Sequence, residues 1–145
     1  MSILSTDKVK LNAAVKDKNE AIRMAGQLLV NAGHVEPSYV ESMIERESSL
    51  STYMGEGLAI PHGTSESKGS IKSTGLSIVQ LPEGVDFGDG NIAHLVIGIA
   101  AVGDDHLDIL TNVAMICSDE DSMELILKAS SPEEIIQIFE SGMEA

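Results

Sequence analysis

An apolar run near the middle of the chain, HLVIGIAA at 94–101, limits the folds that this sequence can adopt. The run is nearly continuous and does not alternate with polar residues. This pattern is typical of a strand that is buried on both faces, as in a sheet that helices cover on each side. The run therefore predicts a layered fold with this strand inside it.

Strand and helix patterns interleave on either side of that run. Further strands are predicted at 9–15, 57–60 and 74–81, with turns at 82–84 and 88–90. Helical spacing or helix-capping residues predict helices at 19–32, from Pro37 onward, at 104–117, at 122–130 and from Ser131 onward. The sequence therefore predicts an α/β fold: a central mixed parallel and antiparallel sheet of about five strands, flanked by helices on both faces.

Length and composition favour a single domain spanning residues 1–145. Apolar residues make up 43% of the chain, which is enough for a globular core. No apolar stretch is long enough to span a membrane, and the charged first 20 residues do not resemble a secretory signal. With Cys117 as the one cysteine, no internal disulfide can form. We therefore expect a cytoplasmic protein without membrane insertion.

The charge balance disfavours nucleic acid as a partner. The chain carries 9 Lys and Arg residues against 23 Asp and Glu residues, a formal net charge of −14. Nucleic-acid binding requires clustered basic residues that neutralise phosphates, and the sequence has no such cluster. The acidic residues are interpreted mainly as a solvated surface. A second interpretation is that an acidic rim attracts a basic partner protein.

His62 is the first candidate for chemistry, because it directly follows a predicted strand in the segment GLAIPHGT at 57–64. In α/β sheets, functional residues commonly lie just beyond the carboxyl ends of strands. Pro61 restricts the backbone before the ring, and Gly63 permits either a close approach or an unusual dihedral angle after it. A purely structural histidine in a turn is the alternative.

His106 is the second candidate, because it lies in the first turn of the predicted 104–117 helix. Asp104 is the predicted cap of this helix. The helix follows the apolar 94–101 run, so His106 also lies at a strand-to-helix junction. A helix N-terminus attracts anions and lowers the pKa of a nearby histidine, so a neutral ring there suits an incoming phosphate.

Arg46 is the third candidate. Its spacing from Tyr39 and Met43 places it near the apolar stripe of its helix. From there its guanidinium is predicted to reach a pocket and bind phosphoryl oxygens. Its neighbours Glu45 and Glu47 support a different interpretation, in which Arg46 takes part in surface ion pairs.

The remaining histidines and the cysteine are interpreted as structural. His34 lies among polar residues between two predicted helices, so we expect it at the surface. His94 begins the apolar run and is expected to have a structural role. Cys117 lies on the apolar side of its helix and is expected to be a core thiol.

Several segments together resemble a known family. They are YVESMIERE, TYMGEGLAIPHGT, PEGVDFG, HLVIGIAA and DDHLDIL. The chain resembles the mannitol/fructose-type IIA components of the bacterial sugar phosphotransferase system over residues 3–140, and it is most similar to the mannitol-specific branch. The PHGT segment is specific in combination with the upstream ERE and the downstream strand and histidine.

This resemblance implies a phosphoryl relay. The histidine of PHGT, here His62, would accept a phosphoryl group from the phosphorylated carrier protein HPr, with its tele nitrogen as the candidate site. It would then pass the group to a cysteine of the IIB component of a sugar permease. The family's second active-site histidine corresponds to His106, which would orient or stabilise the group. Its arginine corresponds to Arg46, which would stabilise charge. The scheme requires neither a cofactor nor a metal.

Three alternatives remain open at this point. A metallohydrolase would use His62 and His106 with Asp104, Asp105 or Asp108, although the chain has no HExxH or HxH spacing. A free-standing regulatory module would use the same histidines. Within the phosphotransferase interpretation, the sugar could be fructose or another sugar in place of mannitol.

Overall fold

The computed structural model describes residues 3–49, 51–102 and 105–144. In these residues five strands form one sheet and five α-helices pack against it. The strands are β1 (Val9–Lys10), β2 (Tyr53–Gly55), β3 (Leu58–Ala59), β4 (Gly75–Asp86) and β5 (Ile92–Ala100). The helices are α1 (Lys18–Asn31), α2 (Ser38–Ser49), α3 (Asp105–Ser118), α4 (Glu120–Lys128) and α5 (Pro132–Glu144).

The sheet is mixed and has the strand order β1-β4-β5-β3-β2. The pairs β1–β4 and β3–β5 are parallel, whereas β4–β5 and β2–β3 are antiparallel. Strand β5 is central, and its residues from Leu95 to Ala100 are all buried. The prediction of a central strand covered on both faces is confirmed.

Alternate side chains of β5 enter two separate cores. Leu95, Ile97 and Ile99 pack with residues of α3, α4 and α5, whereas Val96 and Ala100 pack with residues of α1 and α2. This alternation follows from the two-residue period of a strand. It also explains why the run is apolar throughout, since both faces need apolar side chains.

The predicted boundaries of two strands are wrong. Strand β1 has two residues, and not the seven predicted at 9–15. Strand β4 continues through the turn predicted at 82–84 and ends at Asp86. The register between β4 and β5 shifts between Gln80 and Val85, so the strand accommodates Pro82 and Gly84 in an irregular stretch.

His34 is fully buried, which corrects its predicted place at the surface. Its Nε2 lies 2.5 Å from Nζ of Lys8, and its Nδ1 lies 2.8 Å from Oγ of Ser73. A Cβ atom on Gly75 would lie 2.5 Å from the ring, so the absence of that side chain makes room for His34. Burial lowers the pKa of His34 and lowers that of Lys8 to about 8.

Cys117 and His94 have the structural surroundings that were predicted for them. Cys117 is buried, and desolvation raises the pKa of its thiol to about 12, so it is an unreactive core thiol. His94 is half-buried, with its Nδ1 3.1 Å from the carbonyl oxygen of Leu81. No helix within the described ranges combines the length and the hydrophobicity needed to cross a membrane.

Candidate active site around His62

The backbone of His62 is held against the central strand. His62 forms a parallel bridge with Ile99 of β5, and the amide of Ile99 donates to the carbonyl of Pro61 at 3.0 Å. Ile99 is the second-last residue of β5. His62 therefore follows β3 and lies beside the carboxyl end of β5. In α/β sheets, functional residues commonly lie at this end of the strands.

One ring nitrogen of His62 is held by a backbone carbonyl. Its Nδ1 lies 2.9 Å from the carbonyl oxygen of Ile60. Because a carbonyl oxygen can only accept a hydrogen bond, Nδ1 carries the proton in this contact. In the neutral ring the lone pair then lies on Nε2, which makes Nε2 the nucleophilic nitrogen.

The surroundings of His62 favour its neutral form. The pKa of His62 is lowered mainly by burial, and also by the positive charge of Arg46. The hydrogen bond to Ile60 and the negative charge of Glu47 act in the opposite direction. Because the net effect lowers the pKa below its ordinary value of 6.5, the ring is neutral at physiological pH.

Gly63 allows the chain to approach Tyr39 closely. The hydroxyl of Tyr39 accepts a hydrogen bond from the amide of Gly63 and donates one to the carbonyl of Ile99, each at 2.9 Å. A Cβ atom on Gly63 would lie 2.5 Å from Cε1 of Tyr39, and it would also collide with the hydroxyl of Ser67. Of the two predicted uses of this glycine, the structure has the close approach. Gly63 is not among the glycines with a positive φ.

We expect Gly63→Ala to destabilise the protein by about 1–3 kcal/mol, the usual cost of overpacking. The added methyl group must displace Tyr39, which connects the His62 segment to β5. Chemical denaturation measures the loss of free energy of unfolding. Gly69→Ala is the matched control, because its Cβ would meet no atom within 4 Å. Equal stabilities of the two variants would contradict this account of Gly63.

Arg46 lies within electrostatic reach of His62, as its effect on the pKa of His62 shows. It lies on α2 and its side chain is partly buried. The structure thus brings together two of the three predicted site residues. His106 lies in the first turn of α3, but its side chain is outside the described residues, and so is Asp104.

Glu47 is a buried residue, whereas the alternative interpretation of Arg46 treated Glu47 as part of a surface ion pair. Its exposed fraction is 3%, although Glu45 on the same helix is exposed. The spacing of Tyr39, Met43 and Glu47 is i, i+4 and i+8, which places Glu47 on the buried face of α2. This spacing was the available signal for the burial of Glu47.

A family model for the phosphoenolpyruvate-dependent sugar phosphotransferase system, EIIA 2, matches residues 2–142. The chain belongs to this family. The resemblance seen in the sequence is therefore confirmed, and the fold agrees with it. Membership makes the protein a component of a phosphotransferase system.

Relatives in this EIIA family cover almost the whole chain. The mannitol-specific phosphotransferase enzyme IIA component of Geobacillus stearothermophilus is 52% identical over 138 residues, which are 95% of each chain. The component of the same name from Bacillus subtilis is 48% identical over 96% of this chain and 97% of its own.

A solved structure that contains a IIA chain has a closely similar fold. It is a complex of enzyme IIAMTL and phosphorylated enzyme IIBMTL from Escherichia coli. The matched chain has a TM-score of 0.90 and 39% identity, over 95% of this chain and 97% of its own. The mixed sheet with helices on both faces is thus shared with a IIA chain of known structure.

Proposed function

We propose that this chain is a single cytoplasmic IIA domain, spanning residues 1–145, that carries phosphoryl groups for mannitol uptake. It accepts a phosphoryl group from phosphorylated HPr on His62 and passes it to a cysteine of the IIB component of the permease. The observation that carries this proposal is the contact between Nδ1 of His62 and the Ile60 carbonyl, because it directs the lone pair to Nε2. Family membership supplies the reaction class.

The transfer is a substitution at phosphorus. The lone pair of His62 Nε2 forms the new N–P bond, and the bond between phosphorus and the donor histidine breaks with its electron pair returning to the donor ring. Nδ1 of His62 keeps its proton throughout. In the second step the thiolate of the IIB cysteine attacks the same phosphorus atom, and the electron pair of the N–P bond returns to Nε2.

Arg46 stabilises the phosphoryl oxygens during both steps in this proposal. Charge on a transferring phosphoryl group is spread over its oxygens, so a nearby fixed cation lowers the barrier. His106 is proposed to orient or stabilise the group, on the basis of its position in the first turn of α3. The reaction requires no cofactor.

The choice of mannitol rests on the names of the two bacterial relatives at 52% and 48% identity. The IIB partner is supported by the solved complex, in which the related IIA chain is bound to phosphorylated IIBMTL. Fructose or another sugar is the alternative specificity, and a free-standing regulatory role would use the same phosphorylated histidine.

Phosphoryl transfer to purified IIB domains tests the specificity. The phosphorylated protein is mixed separately with the IIB domains of a mannitol and of a fructose permease. We expect rapid loss of phosphate from His62 to the mannitol IIB domain and slow loss to the fructose one. Preference for the fructose IIB domain would change the proposed sugar from mannitol to fructose. Transfer to neither domain would favour the regulatory role.

A further inference from the structure

We propose that Glu47 is a positioning residue for His62, acting through Thr52 and Ile60. This inference rests on the proposed function, because it assigns a role in phosphoryl transfer to a residue outside the predicted site. Glu47 carries a carboxylate on the buried face of α2. A buried carboxylate is costly unless its oxygens are satisfied, so its contacts indicate what it does.

Glu47 binds the residue that leads into β2. Its Oε1 accepts two hydrogen bonds from Thr52, one from the backbone amide at 2.9 Å and one from the hydroxyl at 2.6 Å. Thr52 is itself buried. Two charge-assisted hydrogen bonds, one from its backbone and one from its side chain, hold Thr52 against α2.

Thr52 in turn binds the residue that holds the ring of His62. The carbonyl of Thr52 accepts a hydrogen bond from the amide of Ile60 at 3.1 Å. The carbonyl of Ile60 is the group that accepts from Nδ1 of His62. A continuous series of contacts therefore runs from the Glu47 carboxylate through the β2–β3 hairpin to the proton on Nδ1.

The negative charge of Glu47 supports the same role, because it favours a proton on the His62 ring. It raises the pKa of His62, whereas Arg46, the preceding residue on α2, lowers it. As the N–P bond forms at Nε2, positive charge develops on the ring and on its Nδ1–H group. The negative charge of Glu47, linked to Nδ1 through Thr52 and Ile60, stabilises this state, as a buried carboxylate does for an imidazole base in hydrolytic triads.

Other charged groups do not cancel this charge by direct hydrogen bonds. Nζ of Lys18, on α1, lies 3.8 Å from Oε2 of Glu47 and is partly exposed. Oε2 has no hydrogen-bond partner among the described residues. Among the described residues, the charged side chains that shift the pKa of His62 are Arg46 and Glu47.

The test compares Glu47→Gln with Glu45→Gln, a neighbouring exposed residue on the same helix. A glutamine at 47 keeps an oxygen that can accept from Thr52 but loses the charge. NMR of the ¹⁵N-labelled imidazole measures the pKa and the tautomer of His62 without any phosphoryl donor. For Glu47→Gln we expect a lower pKa of His62 and phosphorylation slowed about tenfold. We expect wild-type values for Glu45→Gln.

Thr52→Val tests the series of contacts separately from the charge. It removes the hydroxyl donor, so we expect a smaller Nδ1–H population in His62, and Thr52→Ser should restore it. A folded Glu47→Gln protein with the wild-type pKa and tautomer of His62 would overturn the proposal, whatever its rate. Because these readouts need no HPr, they stay valid if the proposed phosphoryl donor is wrong.

Discussion

His62→Ala is expected to accept no phosphoryl group from phosphorylated HPr, whereas the wild-type protein accepts one. The substitution removes Nε2, the proposed nucleophile, which is the nitrogen left with the lone pair by the Nδ1–Ile60 contact. Because the covalent acceptor itself is lost, we expect the loss to be complete and not partial. Intact-protein mass spectrometry at neutral or alkaline pH measures the added group, because phosphohistidine is labile in acid.

His94→Ala is the matched control for this experiment. His94 is also half-buried, and it also contacts a backbone carbonyl through Nδ1, that of Leu81 at 3.1 Å. It lies on β5, away from the end of the strand that pairs with His62. We expect it to accept the group as the wild type does. Phosphorylation of His62→Ala, with unchanged thermal unfolding, would show that another residue is the acceptor.

The central part of the fold could be predicted because its causes are local. A strand that needs apolar side chains on both faces must read as an unbroken apolar run, and 94–101 does so. Strand β4 could be predicted in type but not in length. Its extension past Pro82 depends on pairing with β5 after a register shift, which is not a local property.

The contacts that allow polar residues to be buried could not be predicted from local patterns alone. His34 is buried because Lys8 and Ser73 lie against its ring nitrogens, and neither is near it in the sequence. Glu47 is buried because the hairpin that begins at Thr52 folds back onto α2. In each position a polar partner supplied by another segment offsets the cost of desolvation.

The sequence could name candidate residues for the site, but it could not give their arrangement. The position of His62 after a strand and of Arg46 near an apolar stripe made both candidates. Their proximity depends on the sheet order, in which β3 lies beside β5, and on Tyr39 of α2, whose hydroxyl contacts both Gly63 and Ile99. Those are contacts between distant segments, which spacing along the chain does not encode.

Arg46→Ala is expected to slow phosphoryl transfer to His62 by about 10²–10³-fold, the usual effect of removing one preorganised group that stabilises transition-state charge. Arg46→Lys should recover part of the rate, because it keeps the charge and loses the planar fork that matches phosphoryl oxygens. Arg23→Ala is the control: Arg23 is an exposed arginine on α1 that pairs with Glu41 at 2.7 Å. Stopped-flow or quench-flow transfer from phosphorylated HPr gives the rates.

The pH dependence separates the two effects that Arg46 has on His62. The charge of Arg46 lowers the pKa of His62, so Arg46→Ala should raise it, in the direction opposite to Glu47→Gln. With a higher pKa, the ring is protonated in a larger fraction of the molecules at a given pH, and transfer is slower for that reason alone. Well above 6.5, the ordinary pKa of histidine, the ring is neutral in both proteins. If Arg46→Ala is still slower at such a pH, the difference measures the lost stabilisation of the phosphoryl oxygens. If its rate returns to the wild-type value, the role of Arg46 is limited to setting the protonation of His62.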